Sequence, residues 1–163
     1  MNELWDAYDN AFNKISDVTL VRGEPLSEGM YHLVAEVIVR HIDGTYLLMQ
    51  RDFAKTFGGM WELSAGGSAL QGESSLDCAI RELMEETGII ATEMKEIGRV
   101  VHDGYHTLFV EYLCITDCEK DSIKLQEGET VNFRWIDKSS LLEMSGEEFV
   151  SERAMKLMKK LDI

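Results

Sequence analysis

Glu73, Asp77, Glu82, Glu85 and Glu86 crowd into GGSALQGESSLDCAIRELMEETGI, residues 66–89. Carboxylates at such spacing can move protons or hold a hard divalent cation through oxygen ligands. A helix is read over about residues 74–87. At 100° per residue, Leu76, Ala79, Ile80, Leu83 and Thr87 gather on one side. Arg81, Glu82, Glu85 and Glu86 gather on the other, with Cys78 on this polar side, where it reads as a packing thiol. Like charges at helical neighbour spacing repel, and acids toward a helix C-terminus oppose the macrodipole. Arg81 is the one cation close by. Two readings stand: a solvated charged face, or a site neutralised by a cation such as Mg²⁺, which binds carboxylates together with phosphate oxygens.

The flanking elements must position that helix. YHLVAEVIVRH, 31–41, is almost continuously apolar, as a buried central strand should be. Asp43-Gly44 reads as a hairpin turn into TYLLMQR, 45–51. MWELS, 60–64, is a short strand running into Gly66-Gly67. EIGRVVH and YHTLFVEYLCI form a second hairpin through Asp103-Gly104, and TVNFRWI, 130–136, is another strand. Asp137 caps a short helix through Leu142. A last helix opens on a capping box of Ser145 and Glu148, with acids in its first turn and Lys156, Lys159 and Lys160 near its end. Strands and helices in this order predict an α/β sandwich around a mixed sheet.

The 163 residues imply one domain, 1–163, with 1–30 as an N-terminal extension packed on it. Apolar residues make up 45% and charged residues 28%, with 16 Lys and Arg against 30 Asp and Glu and a net charge of −14. Such a surface repels a long nucleic acid. It still admits a small anion where a bound cation inverts the local field. The N-terminus MNELWDAYDN lacks the pattern of a signal peptide, and no apolar run approaches the ~18 residues of a membrane span. Cys78, Cys114 and Cys118 form no CxxC pair, which suits reduced thiols and a cytoplasmic location.

From Gly67 onward the spacing resembles the Nudix signature, G-x5-E-x7-R-E-U-x-E-E-x-G-U with U aliphatic. Gly67, Glu73, Arg81, Glu82, Leu83, Glu85, Glu86, Gly88 and Ile89 fill every fixed position. The resemblance implies a Nudix-type α/β/α sandwich and hydrolysis of a nucleoside diphosphate linked to a moiety X. X spans nucleoside triphosphates, dinucleotides, nucleotide sugars, ADP-ribose and capped RNA; the charge makes the last the weakest. It implies that Glu82, Glu85 and Glu86 bind Mg²⁺, or Mn²⁺ in its place, with the Gly67 carbonyl, and that Glu73 and Arg81 pair to brace the loop. Residues at i, i+3 and i+4 can converge on one cation, and glycines let backbone approach a ligand. The general base is then a box glutamate, Glu82 or Glu85, or a later loop acid, Glu127 or Glu129. Many relatives are dimers, so a homodimer is compatible with the resemblance.

Arg51 and Lys55 suit phosphate binding or a plain surface role. Trp61 could stack on a base or pack in the core. His32, His41, His102 and His106 lack mutual metal spacing and read as structural or exposed. Two rivals share the fold. An isopentenyl-diphosphate isomerase would carry a cysteine and a histidine-proline pair where Gly66, Ser68 and Ala69 stand here. A non-catalytic nucleotide sensor commonly loses box carboxylates, and this chain keeps all of them.

Overall fold

The computed structural model describes residues 1–163. A seven-stranded sheet runs in the order β5 (Trp61–Glu62), β4 (Thr45–Arg51), β3 (His32–His41), β8 (Thr107–Thr116), β7 (Glu93–His102). In addition β6 (Ala65–Ser68) pairs with β3, and β9 (Thr130–Asp137) pairs with β4. The β3–β8 ladder is parallel and its neighbours are antiparallel, so the sheet is mixed. Helix α1 (Ser75–Thr87) covers one face through Cys78, Ala79 and Leu83 on Ala35, Val37 and Val39. Helices α2 (Lys138–Glu143) and α3 (Arg153–Leu161) cover the other through Leu141, Met155 and Met158 on Ile38 and Leu48. This is the expected α/β/α sandwich. The central strand is buried on both faces, with Ala35, Val37, Ile38 and Val39 all sealed from solvent.

The sheet forks. Strands β3 and β4 pair only at Arg40 and Tyr46, after which β6 takes the place beside β3 and β5 the place beside β4. Ser64 stitches the fork. Its amide donates to the Val37 carbonyl at 2.8 Å. Its hydroxyl donates to the Leu47 carbonyl at 2.6 Å and accepts from the Val39 amide at 3.0 Å. Ser64→Ala would leave a buried donor and a buried acceptor unpaired, so urea unfolding should show a loss of roughly 2 kcal/mol. An unchanged midpoint would mean the stitch is dispensable.

Two expectations need correction, and a third element went unread. First, the buried stripe of α1 runs through Cys78, Ala79, Leu83, Glu86 and Thr87. Leu76, Ile80 and Met84 are exposed, and Cys78 is fully buried. The helix lies on the glycine strand β6, which has almost no side chains, so its smallest residues make the close approach. Second, the Ser145–Glu148 capping box is present, but it caps a 3₁₀ turn, Gly146–Glu148. Helix α3 starts only at Arg153 and has no acid in its first turn. Between them the chain stays extended, because Phe149 bridges Trp61 and the Val150 amide donates to the Trp61 carbonyl at 3.1 Å. Third, the first thirty residues contain an unforeseen hairpin, β1 (Leu4–Tyr8) and β2 (Lys14–Val21). A register shift at Asp6/Ala7 and positive φ at Phe12 and Asp17 break the alternation that would reveal it. The hairpin packs Trp5 on His32 and hydrogen-bonds the loop ahead of α1, through Asp6 to the Gly72 amide and the Leu4 carbonyl to the Gln71 amide.

Candidate active site

Ser74 caps α1 by accepting from the Asp77 amide, and Gly88 closes it in the left-handed region at φ 75°. Between these caps, Glu82 and Glu86 lie on the side that faces the glycine strand β6. Glu86 is 9% exposed, and one oxygen accepts from the Gly66 amide at 3.2 Å. Burial first, then the Glu62 and Glu82 carboxylates, push the Glu86 carboxyl up to about 8. Burial also raises Glu82, against the pull of Arg81. A methyl group on Gly67 would lie 2.3 Å from a Glu82 oxygen. Gly67 is therefore a glycine because the Glu82 carboxylate occupies the space a side chain would need.

Gly67→Ala tests that packing. The obstructing atom is the end of a flexible side chain, so Glu82 can swing away. We expect a melting temperature within a few degrees of wild type but a turnover loss of roughly tenfold or more, since misplaced catalytic groups are costly. Unaltered turnover would show that the Glu82 position is immaterial.

Arg81 is the hub of the outer side. Its guanidinium forks onto Glu73 at 2.7 and 2.9 Å. It also donates to Glu82 at 2.7 Å, Glu85 at 3.2 Å and the Ser68 carbonyl at 3.1 Å. Glu73 in turn accepts from the Leu70 amide at 2.9 Å, and Arg81 with that amide holds its carboxyl below the usual range. Helix, glycine strand and preceding loop are thus tied at one guanidinium.

Across β6 stand the cations. Arg51 donates to Glu62 at 2.6 Å and to the Thr56 carbonyl at 2.9 Å. Lys55 forms an ion pair with Glu129, and burial, then Arg51, lower its pKa. The Asp52 amide donates to the Glu129 carbonyl at 2.9 Å, which joins the two loops. Arg51, Lys55 and Glu129 are therefore brought together near Glu62 and Glu86. Glu127 is exposed on its loop. Trp61 turns away: it packs with the α2/α3 core beneath Arg134, whose guanidinium lies 4.6 Å from the ring centroid.

No group of three or more His, Cys, Asp or Glu side chains is arranged here as a metal cage. Glu82 and Glu85 both turn to Arg81 Nη1, and the Gly67 carbonyl accepts from the Cys78 thiol at 3.4 Å. Glu82 and Glu85 thus pair with Arg81, while Glu86 accepts only from the Gly66 amide. The donor set still fits a hard divalent ion, because two desolvated carboxylates face the glycine strand β6 and Glu86 has no ion-pair partner. Cys78 is no nucleophile, since burial, then Glu73 and Glu82, push its thiol up to about 12. All three cysteines are unpaired, and no helix is long and apolar enough to cross a membrane.

Sequence reasoning missed a second acidic group on the opposite sheet face. Glu36 of β3 is paired in register with Glu111 of β8 and with Gly66 of β6. Arg153, at the start of α3, ion-pairs with both carboxylates, at 2.7 Å to Glu111, and lies 3.5 Å from the Phe109 ring centroid. Burial, then Glu111, push the Glu36 carboxyl up to about 7. The signal was a lone glutamate inside each of two apolar runs, HLVAEVIV and LFVEYLC.

The NUDIX domain profile matches residues 30–157. A Nudix hydrolase of Listeria monocytogenes, itself uncharacterised, is 36% identical over 151 residues, 89% of this chain and 87% of the relative. An isopentenyl-diphosphate Delta-isomerase of Serratia proteamaculans is 34% identical over 96 residues, 58% of this chain and 50% of the isomerase. The crystal structure of a Deinococcus radiodurans protein superposes with a TM-score of 0.77 at 16% identity, over 96% of this chain and 98% of that one. The chain belongs to the Nudix hydrolase family. Membership supports a Nudix-type pyrophosphohydrolase role on a nucleotide-like substrate.

Proposed function

We propose that the protein hydrolyses a phosphoanhydride bond in a nucleoside diphosphate linked to a moiety X, in a divalent-metal-dependent reaction. The observation that carries the reading is the pair of desolvated carboxylates, Glu82 and Glu86, held against Gly66–Gly67 with Glu86 free of any ion pair. Glu82, Glu86 and Glu85, with the Gly67 carbonyl, would hold Mg²⁺ or Mn²⁺. When bound, such an ion lowers the pKa of water and offsets charge on phosphoryl oxygens. Glu73 and Arg81 position the glycine strand. Arg51 and Lys55 attract the polyphosphate, and Glu129, once released from Lys55 by a phosphate, can take a proton from the attacking water. Glu85 and Glu127 are the more exposed candidates for that proton. Trp61 serves packing in this reading.

The chain acts as one unit, 1–163, with the N-terminal hairpin bracing the loop before α1, in a reducing compartment such as the cytoplasm and on a small-molecule partner. The isomerase rival lacks its acid, because the nearest thiol, Cys78, is sealed in the core. The sensor rival is separated by turnover itself. A panel of nucleoside triphosphates, nucleotide sugars, ADP-ribose and dinucleotides with Mg²⁺, with products identified by phosphorus NMR, tests the reading and names X. Cleavage between phosphates is expected; binding of panel members without cleavage would establish the sensor instead.

A further inference from the structure

A cavity of about 120 Å³ opens at the fork of the sheet, on the side away from α1. Its rim is strand β6 at Ala65–Gly67, its far wall is Val150, Ser151 and Ala154, and its polar lining includes Glu36 and Glu62. The far wall is fixed from two directions. Phe149 and Val150 pair with Trp61, and Arg153 is anchored on Glu36 and Glu111. The lining offers an unusual balance. The two carboxylates bring acceptors, Glu36 in the ionised form that its ion pair with Arg153 favours, while the cations touching them are committed: Arg153 to Glu36 and Glu111, and Arg51 to Glu62. Glu111 is fully buried and its Oε2 has no hydrogen-bond partner, so acceptors outnumber donors behind the lining as well. A phosphate or a carbonyl-rich group entering here meets oxygens of its own kind. An N–H donor meets an acceptor of the type that reads exocyclic amino groups of bases.

We propose that this cavity receives the amino-bearing edge of the substrate's nucleobase, with Glu36 as the specificity-determining acceptor, while the phosphates lie across Gly66–Gly67 of β6 toward Glu82 and Glu86. The inference rests on the nucleotide reading above and adds the class of base, cytosine or adenine over uracil or hypoxanthine. Glu36 is well placed for it: its side chain is 26% exposed, whereas Glu111 behind it is sealed. The register of Glu36 on Gly66 puts the acceptor directly beside β6. A side chain on Gly66 would come within 2.8 Å of the Ala35 carbonyl and 3.1 Å of Glu36 Cγ.

Calorimetric titration with CMP against UMP, and AMP against IMP, each pair differing by amino versus keto, tests the pocket without requiring turnover. The expected result is at least roughly tenfold tighter binding of the amino partner in one pair or both, since a site built on a hydrogen bond rejects the analogue that lacks it. Glu36→Gln, which keeps shape but can present an amide donor, should collapse that ratio toward one while circular dichroism shows a folded protein. If that variant does not fold, the wild-type ratios alone decide. Equal affinities within both pairs in the wild type, or an undiminished ratio in folded Glu36→Gln, would overturn the assignment. Preference for the amino base without hydrolysis of any member of the nucleotide panel would uphold the pocket and refute the hydrolase reading.

Discussion

Glu86→Gln should lower kcat on the best nucleotide substrate on the order of 10²-fold or more, with the fold intact. The substitution keeps the volume of the side chain and its ability to accept from the Gly66 amide, but removes the charge. The stability effect goes the other way. In the metal-free protein the Glu86 carboxyl sits at about 8 against an ordinary 4.5. The folded state therefore binds more protons than the unfolded state between those values. This group's contribution is fully present below about pH 4.5 and is lost as the pH rises through 8. Glutamine cannot ionise, so the variant should lose less stability than wild type over that window and match or exceed its melting temperature at pH 8 in EDTA. A rate loss paired with equal or greater stability separates chemistry from unfolding. Unchanged kcat would remove Glu86 from the site.

Arg81→Ala should behave in the opposite manner, lowering stability and rate together. Glu73 and Glu82 are each 14% exposed and share this guanidinium as their ion-pair partner. Breaking a buried pair from one side costs about 3–5 kcal/mol. The partial exposure of Arg81, 25%, screens some of that, so about 2–3 kcal/mol is expected in urea unfolding. Turnover should fall because β6 and Glu82 lose their common anchor. Wild-type stability with abolished catalysis would instead give Arg81 a direct chemical role.

Strands β3, β4, β7, β8 and β9 were legible from their apolar runs, continuous where both faces are buried as in β3, and from the Asp-Gly turns that mark two hairpins; β1, β2 and the glycine strand β6 were not. The cap of α2 was legible from Asp137. The face of α1 was misread because periodicity weighs side-chain hydrophobicity alone. What decides the packing is the bareness of Gly66–Gly67, which draws in Cys78, Glu82 and Glu86 and leaves Leu76 and Ile80 outside. The candidate site was legible as residue types at fixed spacing. Its pairings were not, because Lys55–Glu129 joins two loops far apart in sequence and Arg51–Glu62 crosses from β4 to β5. Nor was the Glu36–Glu111–Arg153 group, which only the β3–β8 register and the late start of α3 assemble.

The central claim is that carboxylates on α1 support metal-dependent phosphoanhydride hydrolysis. Turnover of the best substrate, followed first in excess EDTA and then after Mg²⁺ is restored to the same sample, addresses it most directly. The account predicts negligible hydrolysis in the chelator and full recovery on adding Mg²⁺, with no recovery in Glu82→Gln. Undiminished hydrolysis in EDTA, or equal recovery in that variant, would contradict it.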